Sequence, residues 1–285
     1  MSSRVIFDAT DSYLLEPFLF NVIRSLYHYI SGKSKKYDFS YSSTFKKMLK
    51  NSDIIVCASE EQKNTYNIFN KKTIIVLDYF NFEVNFSKLE FKDLDKNEIN
   101  FFWEGQSHGN INIFLYLRSI LKKISYRKIN LHIVTDENYC LLGGKNFCFS
   151  TKKLLNVLFK GTGINIFFYI WNKKNLNEAA KKSDIGLIPL PKNSRYLNKP
   201  ENKMVLMWSL GLPVLAEKTV SHSRLLMNLE IDLLSNTTIE WKSKIDRFMK
   251  SDKIQSKYID LINKYLETKY STDKITRLWD EVINK

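Results

Sequence analysis

Residues 183–216 constrain the fold of this chain more than any other segment does. An apolar run leads to Pro189-Leu190-Pro191, a polar stretch follows, and a helical pattern from Glu201 to Leu210 ends at Gly211-Leu212-Pro213-Val214. This order predicts a strand, a polar loop, a helix, a sharp turn and a second strand. Asn202 and Lys203 lie where the loop opens the helix, and a helix N-terminus that carries a lysine suits a phosphate or diphosphate. The segment therefore predicts an α/β unit with an anion site.

The rest of the chain alternates short apolar runs with helical stretches, which is typical of a parallel sheet covered by helices. Residues 83–98 are polar and lack clear periodicity, so we expect a linker there. From Trp241 onward the pattern predicts two amphipathic helices. The predicted strands are 5–7, 53–58, 73–77, 99–103, 129–134, 165–169, 184–189 and, as the last one, 213–216. The predicted helices before Trp241 are 18–30, 41–49, 59–69, 111–124, 152–159, 176–182 and 202–210.

The composition is that of a soluble globular protein. At 285 residues, with 44% hydrophobic and 26% charged residues, the chain has room for two α/β domains. No apolar run approaches the roughly 18–20 residues that cross a bilayer. An acidic residue, Asp8, comes too early for a signal-peptide core. Cys57, Cys140 and Cys148 are few and odd in number, which predicts buried thiols in a reducing cytoplasm.

The net charge is strongly positive. Lys and Arg number 44 and Asp and Glu 30, which gives +14 and an isoelectric point near 9.4. Such a field attracts nucleic acid, acidic lipid headgroups or sugar nucleotides. The alternative is an AT-rich genome that inflates lysine without selection for binding. The lysines form short pairs and triplets rather than a basic tail, and no nucleic-acid-binding motif is recognisable, so we expect no nucleic acid partner.

Asn202-Lys203 and Gly211-Leu212-Pro213-Val214 resemble the donor-binding segment of GT-B glycosyltransferases of the group-1, family 4-like type. In that family a "PNK…G-x-P-V" pattern cups the nucleotide-diphosphate sugar. The resemblance implies two Rossmann-like domains: a partial acceptor-side domain over 1–92, and a nucleotide-sugar-binding domain over 93–285 whose terminal helices pack back. The first domain is abbreviated, since relatives have further βα units before the strand that ends at Asp8. A shortened member, a truncated reading frame and a partner that supplies these units all remain open.

Two loops carry the predicted donor site. Between a strand and a helix, Gly105 and Gly109 let backbone N–H groups approach a phosphate, and the resemblance places Gly105, Gln106 and His108 beside the donor diphosphate. Lys199, Asn202 and Lys203 are predicted to bind phosphate oxygens and a ribose or sugar hydroxyl. The alternative is a solvated first turn of the helix in which Asn202 is merely the cap.

Other candidates follow strand ends. Trp171 and Asn172 fall where relatives receive the nucleobase, so the ring is predicted to stack on the base; the alternative is a Trp that covers a junction between helix and sheet. Asp11 follows the first strand and is assigned, with His108, to the catalytic residues, although it could instead cap the next turn. His222 is a weaker candidate for contact with the donor.

The chain departs from its relatives at two positions. Many of them carry a glutamate five residues before the glycine of "G-x-P-V", where it holds the ribose, and another glutamate upstream. Here these positions are Leu206 and Asn198. Nucleotide recognition is therefore either rearranged or lost.

The resemblance implies a hexosyltransferase-like enzyme that moves a sugar from a nucleotide-sugar donor to a cell-surface glycan or lipid-linked acceptor. No metal-ligand spacing and no cofactor motif occurs, so we expect a metal-independent reaction without a cofactor. The expected location is the cytoplasm, with peripheral contact to the anionic inner face of the membrane. The helix over Phe18–Tyr29 either faces lipid there or packs into the core. The alternative function is a catalytically degenerate subunit or glycan-binding module that needs a partner.

Overall fold

Two parallel sheets, one of three strands and one of six, organise the chain. The structure is a computed structural model that describes residues 4–9, 14, 18–37, 40–78, 97–107, 110–125, 128–140, 148–191, 199–227 and 232–284. Helices cover both sheets, so the predicted α/β class is confirmed. The predicted boundary at 92/93 lies outside the described residues and stays a prediction.

The three-stranded sheet has the order β1-β2-β3, with every pair parallel. Its central strand β2 is buried at all four positions and carries a small core with Phe45, Leu49 and Tyr66. Ser59 caps α3 as predicted, because its hydroxyl accepts the Gln62 N–H. The elements of this unit are β1 (Ile6–Asp8), α1 (Phe18–Ile30), α2 (Tyr41–Asn51), β2 (Ile54–Cys57), α3 (Glu60–Tyr66) and β3 (Thr73–Ile75).

The six-stranded sheet is wholly parallel and has the order β8-β5-β4-β9-β10-β11. Numbered along the chain, this is the 3-2-1-4-5-6 order of a doubly wound nucleotide-binding fold. Its elements are β4 (Glu98–Glu104), α4 (Ile111–Leu121), β5 (Lys128–Thr135), α5 (Thr151–Phe159), β8 (Ile164–Ile170), α6 (Lys173–Lys181), β9 (Ile185–Ile188), α7 (Asn202–Ser209), β10 (Val214–Glu217), α8 (Val220–Met227) and β11 (Leu234–Ser235).

A hairpin between β5 and α5 corrects the cysteine prediction. Strands β6 (Asn138–Cys140) and β7 (Cys148–Ser150) pair antiparallel, which places Cys140 directly opposite Cys148. The two residues form a disulfide, so the expectation of buried thiols holds only for Cys57. Burial raises the pKa of the Cys57 thiol to about 12. The disulfide cysteines are eight positions apart in the sequence, a spacing that does not predict a disulfide until the pairing of β6 with β7 is known.

Two predictions about the C-terminal part are wrong. The strand over 213–216 is not the last, because α8 and β11 follow it. Three helices, not two, come after β11: α9 (Thr238–Met249), α10 (Asp252–Lys269) and α11 (Thr272–Asn284). Serine side chains cause the extra break, since Ser251 accepts the Ile254 N–H at the start of α10 and Ser271 accepts the Lys274 N–H before α11. The amphipathic periodicity of the sequence continues across the helix boundary, so the pattern did not predict a third helix.

The terminal helices contact both sheets. The Tyr258 hydroxyl of α10 is fully buried and donates to the Val214 carbonyl of β10 at 2.9 Å. The Tyr270 hydroxyl donates to the carbonyl of Asp78, just after β3, and Arg4 Nη1 donates to the Ile283 carbonyl of α11 at 3.2 Å. These contacts fix the end of the chain against the three-stranded unit.

Candidate functional site

The strand order defines a crevice at the carboxyl edge of the six-stranded sheet. In doubly wound sheets, ligands bind where the strand order reverses. Here that point lies between β4 and β9, which are adjacent and parallel. The chain continues from β4 to β5 on one side of this point and from β9 to β10 on the other, so the loops that follow β4 and β9 diverge. The residues after Glu104 and those around Leu190 therefore border the crevice.

Gly105 directly follows β4 at this crevice and has a backbone conformation that other residues rarely adopt. Its φ is +156°, and a Cβ at this position would clash with Lys203 Nζ and would lie 3.1 Å from the Trp103 ring. Glycine thus allows a lysine ammonium to reach the backbone at the end of β4. The next residue, Gln106, is exposed, and its carbonyl accepts the Asn110 side chain at 2.7 Å.

Lys203 crosses from the first turn of α7 to the end of β4. Its Nζ donates to the Glu104 carbonyl at 2.6 Å, lies 3.6 Å from the Glu104 carboxylate and sits 5.3 Å from the centre of the Trp103 ring. The side chain remains 41% exposed. A positive charge near a helix N-terminus is unfavourable, and within the chain Glu104 offsets part of it. The ammonium is therefore positioned at the crevice and still accessible.

Asn202, the first residue of α7, connects the two sheets. Its Nδ2 donates to the Asp78 carboxylate after β3 at 2.5 Å. Its Oδ1 is buried and finds no hydrogen-bond partner among the residues that the structure describes. Glu201, not Asn202, occupies the N-cap position, so the alternative that Asn202 is merely the cap is wrong. The amide nitrogen thus bonds across the two sheets, and the amide oxygen can accept a hydrogen bond from another donor.

Lys199 lies just before α7 and is partly buried. Its carbonyl accepts the hydroxyl of Ser221 in α8, which ties the loop before α7 to the helix after β10. The three predicted residues Lys199, Asn202 and Lys203 therefore share one connected segment. Their roles in binding stay predictions.

An ion cluster next to this segment was missed by the sequence reasoning. Arg224 of α8 pairs with Glu61 of α3 at 3.1 Å and with Glu201 at 2.9 Å. Burial raises the pKa of Glu201 despite the attraction of Arg224. Burial also acts to raise the pKa of Glu61, but hydrogen bonds and charge from Arg224 outweigh it and lower that pKa. The cluster joins the two sheets beside the N-terminus of α7.

Trp171 and Asn172 lie at the same sheet edge, directly after β8. Two strand spacings of about 4.8 Å each separate β8 from β4. The Trp171 ring is 53% exposed, more than a ring that seals a helix–sheet junction would be. Asn172 caps α6, since its Oδ1 accepts the Asn175 N–H at 2.8 Å. The ring is thus available for stacking, whereas the Asn172 side chain has a local structural role.

The remaining predicted residues divide into two groups. Asp11 and His108 lie outside the described residues, so their catalytic assignment stays a prediction. Asp8, at the carboxyl end of β1, has a pKa raised by burial. His222 is enclosed in α8, where its Nδ1 lies 2.9 Å from the Glu217 carbonyl and burial lowers its pKa. The His222 ring is therefore not accessible from the crevice.

Leu206 lies at the position where many of the glycosyltransferases that the sequence resembles carry a glutamate. It is 5% exposed and packs in the main core with Met207 and Trp208. Trp208 Nε1 donates to the Tyr258 hydroxyl at 3.2 Å, so the helix is anchored from behind by α10. The face of α7 that carries Leu206 is apolar and offers no carboxylate to a ribose.

Two negative findings concern the described part of the chain. Within it, no group of three or more His, Cys, Asp and Glu side chains is placed to hold a metal ion. Within the same residues, no helix combines the length and apolar character that crossing a membrane requires.

Comparison with known proteins identifies the fold. No protein-family model matches the chain, and no curated protein matches its sequence. A glycosyltransferase from Rickettsia africae superposes with a TM-score of 0.58 at 16% identity, over 84% of this chain and 66% of that one. WaaG, a glycosyltransferase involved in lipopolysaccharide biosynthesis, gives 0.62 at 11% identity, over 99% and 75%. TarM from S. aureus, in a complex that contains UDP, gives 0.55 at 12%, over 88% and 48%.

The chain thus spans 66% and 48% of the length of the Rickettsia africae enzyme and TarM. At these identities the likeness establishes the fold. The protein has the GT-B-type fold of glycosyltransferases, with Rossmann-like α/β architecture, as the sequence resemblance predicted.

Proposed function

We propose that this chain is a hexosyltransferase-like enzyme that moves a sugar from a nucleotide-sugar donor to a cell-surface glycan or lipid-linked acceptor. The reaction uses no metal and no further cofactor, and it takes place in the cytoplasm. The observation that carries the proposal is the meeting of Lys203 and Gly105 at the crevice between β4 and β9. A GT-B-type fold and a cation at the switch point together favour a nucleotide-diphosphate ligand.

In this proposal the donor diphosphate lies between the N-terminus of α7 and the backbone after Glu104. The bond from the sugar's anomeric carbon to the diphosphate oxygen breaks, and the acceptor oxygen forms the new bond. Lys203 and the helix N-terminus stabilise the negative charge that develops on the leaving diphosphate. A diphosphate carries more charge than the Glu104 carboxylate 3.6 Å away, so it competes for the exposed ammonium.

The other predicted residues are assigned around this position. Trp171 stacks on the nucleobase at the end of β8, while Gln106 and Lys199 bind from the flanking loops. Asp11 is assigned to the acceptor side, where a base is needed only if the enzyme inverts configuration at the anomeric carbon, and His108 is assigned a catalytic role beside the donor diphosphate. In a retaining reaction the donor phosphate can take the acceptor's proton.

A second candidate function is a degenerate subunit or glycan-binding module that requires a partner. Two observations favour it: Leu206 stands in the core at the ribose-binding position, and the Asn202 amide is partly committed to Asp78. A partner would then supply the catalytic activity.

The test is a thermal-shift screen of the full chain with UDP, GDP, CDP, ADP and CMP, with inorganic phosphate as control. UDP is tested first because the TarM structure contains it. Ligand at about 100 times its Kd stabilises the native state by about 2.7 kcal/mol. A preference for one nucleotide supports a working donor site and selects the sugar donors for transfer assays. No shift with any nucleotide would contradict the enzyme proposal and favour the partner-dependent module.

A further inference from the structure

Helix α1 presents its apolar side to solvent and its polar side to the protein. Leu19, Ile23, Leu26 and Ile30 follow the spacing of one helical face and are 66%, 45%, 45% and 74% exposed. On the opposite face Asn21 and Ser25 are buried. A surface helix ordinarily does the reverse, because apolar burial drives its packing. This orientation needs a partner for the apolar face, which we name the α1 stripe (Leu19, Ile23, Leu26 and Ile30).

The chain around the α1 stripe is almost purely basic. Residues 17–52 contain seven Lys or Arg and a single acidic residue, Asp38, which gives a net charge of +6 out of +14 for the whole chain. Every lysine in this stretch is exposed. They follow the C-terminal end of α1 or lie on α2, which packs against α1: Lys33, Lys35, Lys36, Lys46, Lys47 and Lys50.

Aromatic side chains border the lysines at the end of the stripe. Tyr29 and Tyr37 are both exposed, and their ring centres lie 5.9 Å apart. Lys33 Nζ lies 5.2 Å from the centre of the Tyr27 ring. Tyrosine at the boundary of an apolar face is typical of surfaces at the membrane–water interface, where lysine stems cover apolar area and their charges stay in water.

We propose that the α1 stripe and its lysines form a docking surface for an anionic lipid bilayer. The apolar face inserts shallowly between headgroups, and the lysines pair with lipid phosphates, which is how interfacial amphipathic helices bind. A nucleic acid would match the charge but would leave the four aliphatic side chains in water. A protein partner would match the apolar face but needs an unusually acidic rim. The bilayer satisfies both features, and the inference does not depend on sugar transfer.

The experiment is vesicle flotation of the full chain at low and high salt. Vesicles of phosphatidylcholine alone are compared with vesicles that also contain phosphatidylglycerol. We expect binding only to the anionic vesicles and weaker binding as salt rises. Lys35→Ala with Lys36→Ala should weaken binding about 25-fold, since each lysine near the surface contributes a factor of about five. Lys152→Ala with Lys153→Ala, an exposed pair on α5, is the matched control and should bind normally.

The apolar contribution is tested with Leu19→Gln combined with Ile30→Gln. This variant should lose at least about ten-fold in binding to anionic vesicles, because two large aliphatic side chains no longer leave water. The control, Val157→Gln with Ile239→Gln, changes two side chains that are 72% and 70% exposed on other helices and should leave binding unchanged. All four positions are exposed, so circular dichroism and melting temperature should match the unmodified protein.

Three results would overturn the proposal. They are failure of the unmodified protein to float with anionic vesicles at low salt, equal losses in the α1 and control variants, and a dimer in solution that the α1 variant dissociates without any vesicle binding. Nucleotide-induced thermal shifts should be the same in every variant. A failed docking surface is thereby distinguished from a failed donor site.

Discussion

The two edges of the six-stranded sheet differ in whether their polar side chains are paired within the chain. Near the amino edge, side chains on neighbouring strands satisfy one another: Asn165 donates to Asn130 at 2.9 Å, Asn130 to Asn100 at 2.8 Å, and Asn100 to Asp184 at 3.1 Å. Lys128 and Glu98 close the ladder with an ion pair at 2.8 Å. This network resembles the satisfied polar networks that fix a single packing arrangement.

At the carboxyl edge, buried polar atoms are left over. Thr135 Oγ1 at the end of β5, Asn202 Oδ1 at the start of α7 and Ser235 Oγ at the end of β11 have no hydrogen-bond partner within the described residues. Buried polar groups in native proteins are normally paired, so each such atom needs an explanation. The amino edge is thus paired within the chain, whereas these three atoms at the carboxyl edge are unpaired within the described residues, which is what the proposed ligand site there requires.

The largest expected effect comes from breaking the amino-edge ladder. Asp184→Ala removes the carboxylate oxygen that accepts both the backbone N–H and the side-chain amide of Asn100. We expect the free energy of unfolding to fall by about 3 kcal/mol, measured by urea denaturation, because two partly buried donors lose a charged acceptor. Asp184→Asn retains one acceptor oxygen and should lose less. A nucleotide-induced thermal shift that vanishes in Asp184→Ala would contradict the separation of the two edges.

The second prediction uses the two ends of β4, where a lysine meets a glutamate at each end. Lys203 pairs with Glu104 at the carboxyl edge, and Lys128 pairs with Glu98 at the amino edge. Lys203→Ala should weaken nucleotide binding about 10- to 100-fold, as expected for loss of a charge-assisted contact. Titration calorimetry measures this, and the control Lys128→Ala should bind normally. Equal affinities for both variants would remove Lys203 from the site.

Local sequence patterns were enough to predict the strands and helices that form the crevice. The helix over 202–210 and the strands around it were correct because apolar periodicity and the Gly211-Leu212-Pro213 turn specify them within a few residues. The contacts made by these elements were not predictable. Asn202 meets Asp78 across 124 residues, and Arg224 meets Glu61 across 163, distances over which no periodic signal exists. The two-residue strand β11 is too short to produce a pattern.

The third prediction concerns the ion cluster of Glu61, Glu201 and Arg224, which joins the two sheets and is distinct from the polar atoms proposed to bind a ligand. The folded state holds the pKa of Glu61 below its ordinary value, so the contribution of this carboxylate to stability is present above that ordinary value and is lost as the pH falls through the folded pKa. Glu201 has a raised pKa and opposes this trend, since its protonation in acid favours the folded state.

Glu61→Gln should therefore lower the free energy of unfolding by about 0.5 kcal/mol at neutral pH, a value that allows for solvent screening of this partly exposed pair. The difference from the unmodified protein should shrink in acid, below the ordinary pKa of a glutamate. Urea denaturation at both pH values tests this. Glu60→Gln, the exposed neighbour in the same helical turn, is the control. A deficit that stays constant with pH would mean that the Arg224 contact does not depend on the Glu61 charge.

The last prediction has the opposite sign. Thr135→Val removes a buried hydroxyl without a described partner, so the free energy of unfolding should rise by up to about 1 kcal/mol. In Thr73→Val, the matched control on β3, the lost hydroxyl donates to the Asn70 carbonyl at 2.9 Å, and stability should fall by about 1 kcal/mol. If the Thr135 hydroxyl serves a nucleotide, the stabilised variant should also show a smaller nucleotide-induced thermal shift. Destabilisation of Thr135→Val would instead reveal a partner inside the protein and weaken the contrast between the two sheet edges.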